Sequence, residues 1–240
     1  MKRLSLLTLA FAVCSVIFLN LLIVLRIPFP LYPLISYQDA FDLLTPLVLI
    51  PIYWLLYRFS GDGQTSPAEE VAFMVCAAIW VMGHGMHLSA NSIDNLAEAL
   101  AKKHVLDITA TTIYQLDYFF DEQLGHYVWH IGTLALTAVL LWREWRKPAG
   151  LRTLWRAAGM AGLLYGFTYF AIFIEGQTVL LGLPFAVAVV LLALIWGRQR
   201  LAQQPVLAFF FIACLVALVL FAGWGVYWRG FPQFSDVGLI

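Results

Sequence analysis

Seven apolar stretches, at 4–25, 43–59, 70–90, 120–142, 156–175, 178–197 and 205–228, alternate along the chain with short polar or basic joints. A bilayer core about 30 Å thick needs roughly 20 apolar residues per helix. Each stretch therefore predicts a membrane-spanning helix, and the pattern as a whole predicts an all-α polytopic bundle of about seven spans in a single domain, 1–240. The second stretch is short and carries Pro46 and Pro51, which membrane helices tolerate where neighbours re-satisfy the backbone. The longest polar interruption, 91–119, places Ile93, Leu96, Ala97 and Leu100 at helical spacing opposite charged positions, the pattern of a helix lying in the membrane interface between spans three and four.

The basic residues orient this bundle, because cytoplasmic joints near span ends accumulate Lys and Arg. With the N-terminus inside, Lys2, Arg3, Arg58, Arg143, Arg146, Lys147, Arg152, Arg156, Arg198 and Arg200 are cytoplasmic, against Arg26, Lys102, Lys103 and Arg229 outside. The span count then puts the C-terminus outside. Met1-Lys2-Arg3 before an apolar run also opens secretory signals, but the run from Leu4 to Leu25 exceeds the roughly 7–15 residues of a signal core and predicts an uncleaved first span.

Composition agrees with the pattern. The chain is 62% hydrophobic and 12% charged, against roughly 45–50% and 25% in a soluble domain, and its formal net charge of zero argues against a nucleic-acid surface. The expected setting is a multi-pass membrane protein; in a bacterial cell that means the cytoplasmic membrane. The expected partners are membrane lipids or lipophilic small molecules. Cys14, Cys76 and Cys214 are dispersed through apolar runs and read as small hydrophobes, not as a metal or disulfide framework. Gly159, Gly162 and Gly166 give one face of the fifth span a small-residue stripe suited to close helix packing. Trp and Tyr near span ends read as an interfacial belt.

Four of the five histidines fall in two short segments, GHGMHLSANSIDN at 83–95 and DEQLGHYVWHIG at 121–132, both at the outer ends of neighbouring spans. At 100° per residue, His84, His87, Asn91 and Asn95 share a stripe with Asp94 close by, and Glu122, His126 and His130 follow at i, i+4 and i+8. Ionisable groups inside a span usually face a cavity, where they bind, relay protons or catalyse. Imidazole with carboxylate suits Zn, Fe or Cu. The expectation is a transition-metal site, with zinc favoured, held by three or four of His84, His87, His126 and His130. Glu122 is expected as a further ligand or base, and Asn91, Asp94 and Asp121 as groups orienting the imidazoles or a water. Glu175 ends span five on the same side and is a candidate proton carrier, with Tyr169 and Tyr165 deeper in that span. A packing network of hydrogen-bonded histidines is the plainer alternative. His104 reads as solvated surface.

His84 or His87, the nearby Asp94 and the His126-x-x-x-His130 pair resemble the zinc site of the alkaline ceramidase and adiponectin-receptor superfamily of seven-helix membrane hydrolases. There, three His hold zinc, two of them in an HxxxH pair, while an Asp and a Ser position water or substrate. The likeness implies a zinc hydrolase of lipid amides or esters. The pattern differs in two respects: Trp80 and Gly83 stand where that family has its Ser, and the HxxxH pair opens span four, not the last span. Two other classes fit the same residues: a haem-, iron- or copper-dependent oxidoreductase, and an ion transporter or ligand-binding receptor.

Overall fold

The computed structural model describes residues 2–21, 25–60, 64–146 and 150–239, without the side chains of Lys2 and Arg198. Residues 22–24 of the first expected span and Lys147 lie outside the described residues. Among the described residues there are nine α-helices: α1 (Lys2–Leu19), α2 (Tyr37–Asp42), α3 (Thr45–Phe59), α4 (Pro67–Lys102), α5 (Thr112–Tyr118), α6 (His126–Arg146), α7 (Trp155–Glu175), α8 (Val179–Gln203) and α9 (Pro205–Trp228). A π-helical turn, Phe119–Gly125, joins α5 to α6. The protein is an all-α, multi-pass membrane protein.

Among the described residues, six helical segments are long and apolar enough to cross a bilayer: Tyr37–Phe59, Pro67–Lys102, Thr112–Arg146, Trp155–Glu175, Val179–Gly197 and Pro205–Trp228. They coincide with the second to seventh apolar stretches. The first stretch forms α1, of 18 residues. Start signals are local: Ser36 and Ser66 each complete a capping box, with Asp39 and Glu69 three residues on. Gly197 breaks α8 at φ 81°, a conformation glycine adopts without Cβ strain.

One expected element has a different form. Residues 91–102 do not make a separate interfacial helix; they continue α4 unbroken to Lys102, giving 36 residues. No proline or capping residue stops the helix after His87. A polar sequence extends a helix as readily as an apolar one once it leaves the hydrocarbon, since Ala, Glu, Leu and Lys are all strong helix formers.

Close packing rests on glycines. A Cβ on Gly162 or Gly166 of α7 would come within 2.6 Å of α9 atoms at Ile212 and Ala213, while Gly159 of the same stripe faces nothing within 4 Å. On the α4–α6 contact, a Cβ on Gly83 would lie 2.1 Å from the Trp129 nitrogen and one on Gly132 would lie 2.4 Å from the Trp80 nitrogen. Of the cysteines, Cys214 is buried and Cys14 and Cys76 are half-buried, all with free thiols.

The end of the bundle opposite the histidines is tied by buried polar groups. Arg143 donates to the Ser60 carbonyl at 3.2 Å and to Glu69 at 3.0 Å, with its guanidinium 4.8 Å from the Tyr57 ring centre. Glu144, fully buried, accepts from the Leu207 backbone N–H at 3.0 Å in the first turn of α9, where a carboxylate is favoured by the helix dipole. Thr153 bonds back to Leu201 and Ala202. These bonds gather Arg58, Arg143, Arg146, Arg152, Arg156 and Arg200 near one end, while Arg26 lines the cavity at the other.

Candidate functional site: a histidine cluster around Trp129

Four histidines converge at one end of the α4–α6 contact, as the two stripes predict, but they converge on an indole. Ring centroids of His84, His87, His126 and His130 lie 4.9, 5.6, 6.1 and 4.9 Å from that of Trp129. Trp129 thus makes a ring contact with each of the four. His87 and His126 are in direct contact, centroids 4.2 Å apart. Among the described residues, no three His, Cys, Asp or Glu are placed to hold one metal ion.

Each imidazole has its own anchor. His87 Nδ1 lies 2.6 Å from Asp121 Oδ1, and Asp121 is 1% exposed. His84 Nε2 donates to the Asp42 carbonyl at 3.1 Å, with an Asp42 carboxylate oxygen 3.5 Å away. His126 Nδ1 donates to the Glu122 carbonyl at 3.3 Å. His130, fully buried, bonds through Nδ1 to the Thr178 hydroxyl and packs on Phe173 at 4.6 Å. Gly176 makes room for two of these rings, since a Cβ there would lie 2.6 Å from His130 and 3.2 Å from His126.

The π-turn decides which carboxylate reaches His87. Bonding i→i+5 puts one extra residue into the turn, and within it Asp121 is turned to His87 while Glu122 stays beside His126, its Oε2 3.9 Å from Nδ1, on the cavity wall. Gly125 permits this: a Cβ there would meet the Phe120 carbonyl at 2.6 Å and the His87 nitrogen at 2.9 Å. Asp121, expected in a supporting role, is therefore the direct partner of a histidine. Glu122 and Glu175 are turned to a third element, the segment after α9. Gln233 donates to Glu122 Oε2 at 3.1 Å and to the Glu175 carbonyl, and the Phe234 N–H donates to Glu175 Oε2 at 2.9 Å.

A cavity of about 410 Å³ opens on this cluster. His87, His126, Glu122, Glu175 and Asn91 line its polar side, and Phe18, Phe167, Ala171 and Phe234 contribute to its apolar side. Among the described residues, the Nε2 atoms of His87 and His126 have no hydrogen-bond partner, and neither is sealed from the cavity as the His130 Nε2 is. Leu21 and Phe167 both line the cavity and are 54% and 50% exposed, so part of its wall lies on the bundle surface.

Of the remaining expected residues, Asn91 is at the cavity and the others lie elsewhere. Asp94 accepts a bond from the Tyr114 hydroxyl at the α4–α5 contact, and does not line the cavity. Asn91 accepts from Asn95 at 2.9 Å. Tyr165 is 3.3 Å from the Tyr53 hydroxyl in the core, and Tyr169 donates to the Gly182 carbonyl. His104 is exposed, as expected, and holds a left-handed φ of 55°. The belt reading of Trp and Tyr near span ends did not single out Trp129, though its place between His126 and His130 on one helix was the available signal. Nothing local in the sequence marked Thr178 or Gln233.

No family model and no solved structure matches the chain. It is similar to the ceroid-lipofuscinosis neuronal protein 6 homolog of Canis lupus familiaris, 22% identical over 200 residues that make up 78% of this chain and 62% of that protein. The chain thus spans less than two thirds of the length of the curated relative it matches.

Proposed function

We propose that the protein is a membrane-embedded hydrolase that takes a lipid, or another membrane-soluble amide or ester, into the cavity beside Trp129. The observation that carries this reading is the Asp121–His87 pair at 2.6 Å facing a cavity of about 410 Å³. A carboxylate only accepts, so with Asp121 ionised His87 holds its proton on Nδ1 and presents a lone pair at Nε2. That atom takes a proton from a water attacking the scissile carbonyl carbon. The imidazolium then returns the proton to the departing amine or alkoxide as the C–N or C–O bond breaks. Asp121 orients the ring and stabilises its charged form. Glu122, 3.9 Å from His126 Nδ1, and Glu175 are placed to carry protons from the cavity mouth.

A zinc-dependent form of the same reading rests on the contact between His87 and His126, whose unbonded Nε2 atoms are the two donors the site offers together. Zinc would polarise the carbonyl and lower the pKa of a bound water, with Asp121 supporting His87 from behind as carboxylates support metal-binding histidines. Elemental analysis of purified protein beside a His87→Ala, His126→Ala double variant separates the two forms: stoichiometric zinc lost in the variant supports the metal, and turnover by zinc-free wild type removes it.

For topology, we infer seven spans with α1 as the first, the N-terminus and the arginine-rich end cytoplasmic, and the cavity toward the outer face. The segregation of arginines to one end supports this orientation. Turnover of a panel of lipid amides and esters by wild type, lost in His87→Ala and Asp121→Asn, tests the function; a panel hydrolysed equally by both variants ends it.

A further inference from the structure

The turn after α9 contributes residues to two cavities. Phe234 lines the cavity of about 410 Å³ at the histidines. Its neighbours Gln233, Phe231 and Asp236 line a second cavity of about 390 Å³, walled on the far side by Leu180, Leu183 and Pro184 of α8. Consecutive residues thus face opposite spaces. Bonds to neighbouring elements hold the turn there: Gln233 to Glu122 and Glu175, the Phe234 N–H to the Glu175 carboxylate, and the Trp224 indole to the Pro232 carbonyl at 3.0 Å; within the turn, the Gln233 N–H donates to Asp236 at 3.0 Å and the Leu239 N–H to the Phe234 carbonyl at 2.9 Å. The Phe234 ring rests on Trp224 and Phe170, centroids 5.0 and 5.8 Å away.

We infer that Phe234 and Gln233 set the size of ligand the site accepts, admitting a straight-chain lipid that fits the first cavity and excluding longer ones that would need both. The inference rests on the reading that the first cavity is the ligand site, but not on hydrolysis. Phe234 supplies the bulk of the wall. Gln233 fixes it in place, and because its two acceptors are the carboxylate of Glu122 and the carbonyl of Glu175, wall and polar rim are held by the same side chain. Removing either residue joins the two spaces.

The test is equilibrium binding of tritiated straight-chain primary alcohols, from octanol to octadecanol, to the full chain in nanodiscs. Each methylene that still finds apolar surroundings tightens binding by about fourfold, so affinity climbs with chain length and stops climbing where the wall is met. In wild type a break is expected within the series. Phe234→Ala and Gln233→Ala should move it to longer alcohols, and Phe234→Trp to shorter ones. Leu180→Trp, on the far wall, should leave wild type unchanged and pull the break back in the Phe234→Ala background. Opposite shifts in Phe234→Ala and Phe234→Trp are not produced by general loosening of the fold. A break at the same chain length in all variants overturns the inference while leaving the cavity as ligand site. Absence of saturable binding to wild type overturns both.

Discussion

His87 Nδ1 and Asp121 Oδ1 lie 2.6 Å apart across the contact between α4 and the π-turn, and the carboxylate is 1% exposed. Asp121→Asn keeps the size and shape of the side chain and removes its ability to fix a base-competent His87. The expected result is a fall in turnover of about 10²–10⁴-fold with the thermal unfolding midpoint little changed. Equal losses of activity and of folded protein would instead make the pair structural.

The π-turn itself can be removed. Deleting Gln123, an exposed residue within it, returns the segment to α-helical phase and swings Asp121 off the face of His87. We expect a protein that inserts and folds, because the deletion relieves a strained i→i+5 turn, yet loses turnover as Asp121→Asn does. Chemical shifts of the His87 ring nitrogens, read by ¹⁵N NMR, check the change directly.

Glycine substitutions should divide by geometry and not by residue type. Gly83→Ala places a methyl 2.1 Å from the Trp129 backbone, whereas Gly85→Ala meets nothing within 4 Å. The first should destabilise by about 1–3 kcal/mol or more as α4 and α6 are forced apart. The second should be neutral or stabilising by up to about 1 kcal/mol through helix propensity. Unfolding in detergent compares them.

At the other end, Arg143→Met removes one partner of a buried ion pair with Glu69. Losing the guanidinium's bonds to the Ser60 carbonyl and to Glu69, which keeps its capping bond to Ser66, costs about 1.5–3 kcal/mol, so the variant should accumulate poorly. Glu69→Gln combined with Arg143→Met should recover part of that loss, measured as the midpoint of thermal unfolding.

Much of the fold was legible because a bilayer imposes one rule on the sequence: apolar runs of span length become helices. Six of the seven runs appear as spanning helices, and the small-residue stripe packs where Gly162 and Gly166 foretold. The site was half legible. Helical periodicity brought His84, His87, His126 and His130 to one place, because straight α-helices keep their phase. It failed to announce the π-turn, which turns Asp121 to His87 while Glu122 stays 3.9 Å from His126 Nδ1. It failed also at Trp129, since a hydropathy pattern does not separate a tryptophan among histidines from one at a lipid boundary. Gln233 and Thr178 come from distant parts of the chain, and only tertiary structure joins them to the site.

The unbroken length of α4 has a consequence for where this chemistry takes place. A 36-residue helix measures about 54 Å, and with Glu69 and Glu70 in its first turn a hydrocarbon slab of roughly 30 Å entered at Val71 runs to Ala90. On that placement His87 would lie in the last turn of hydrocarbon, just beneath the headgroups. On the proposed hydrolase reading, water would reach the ring from the headgroup side and an ester or amide linkage of a resident lipid would lie within about a turn of the same height, so neither reactant would have to be carried far from where the membrane already keeps it.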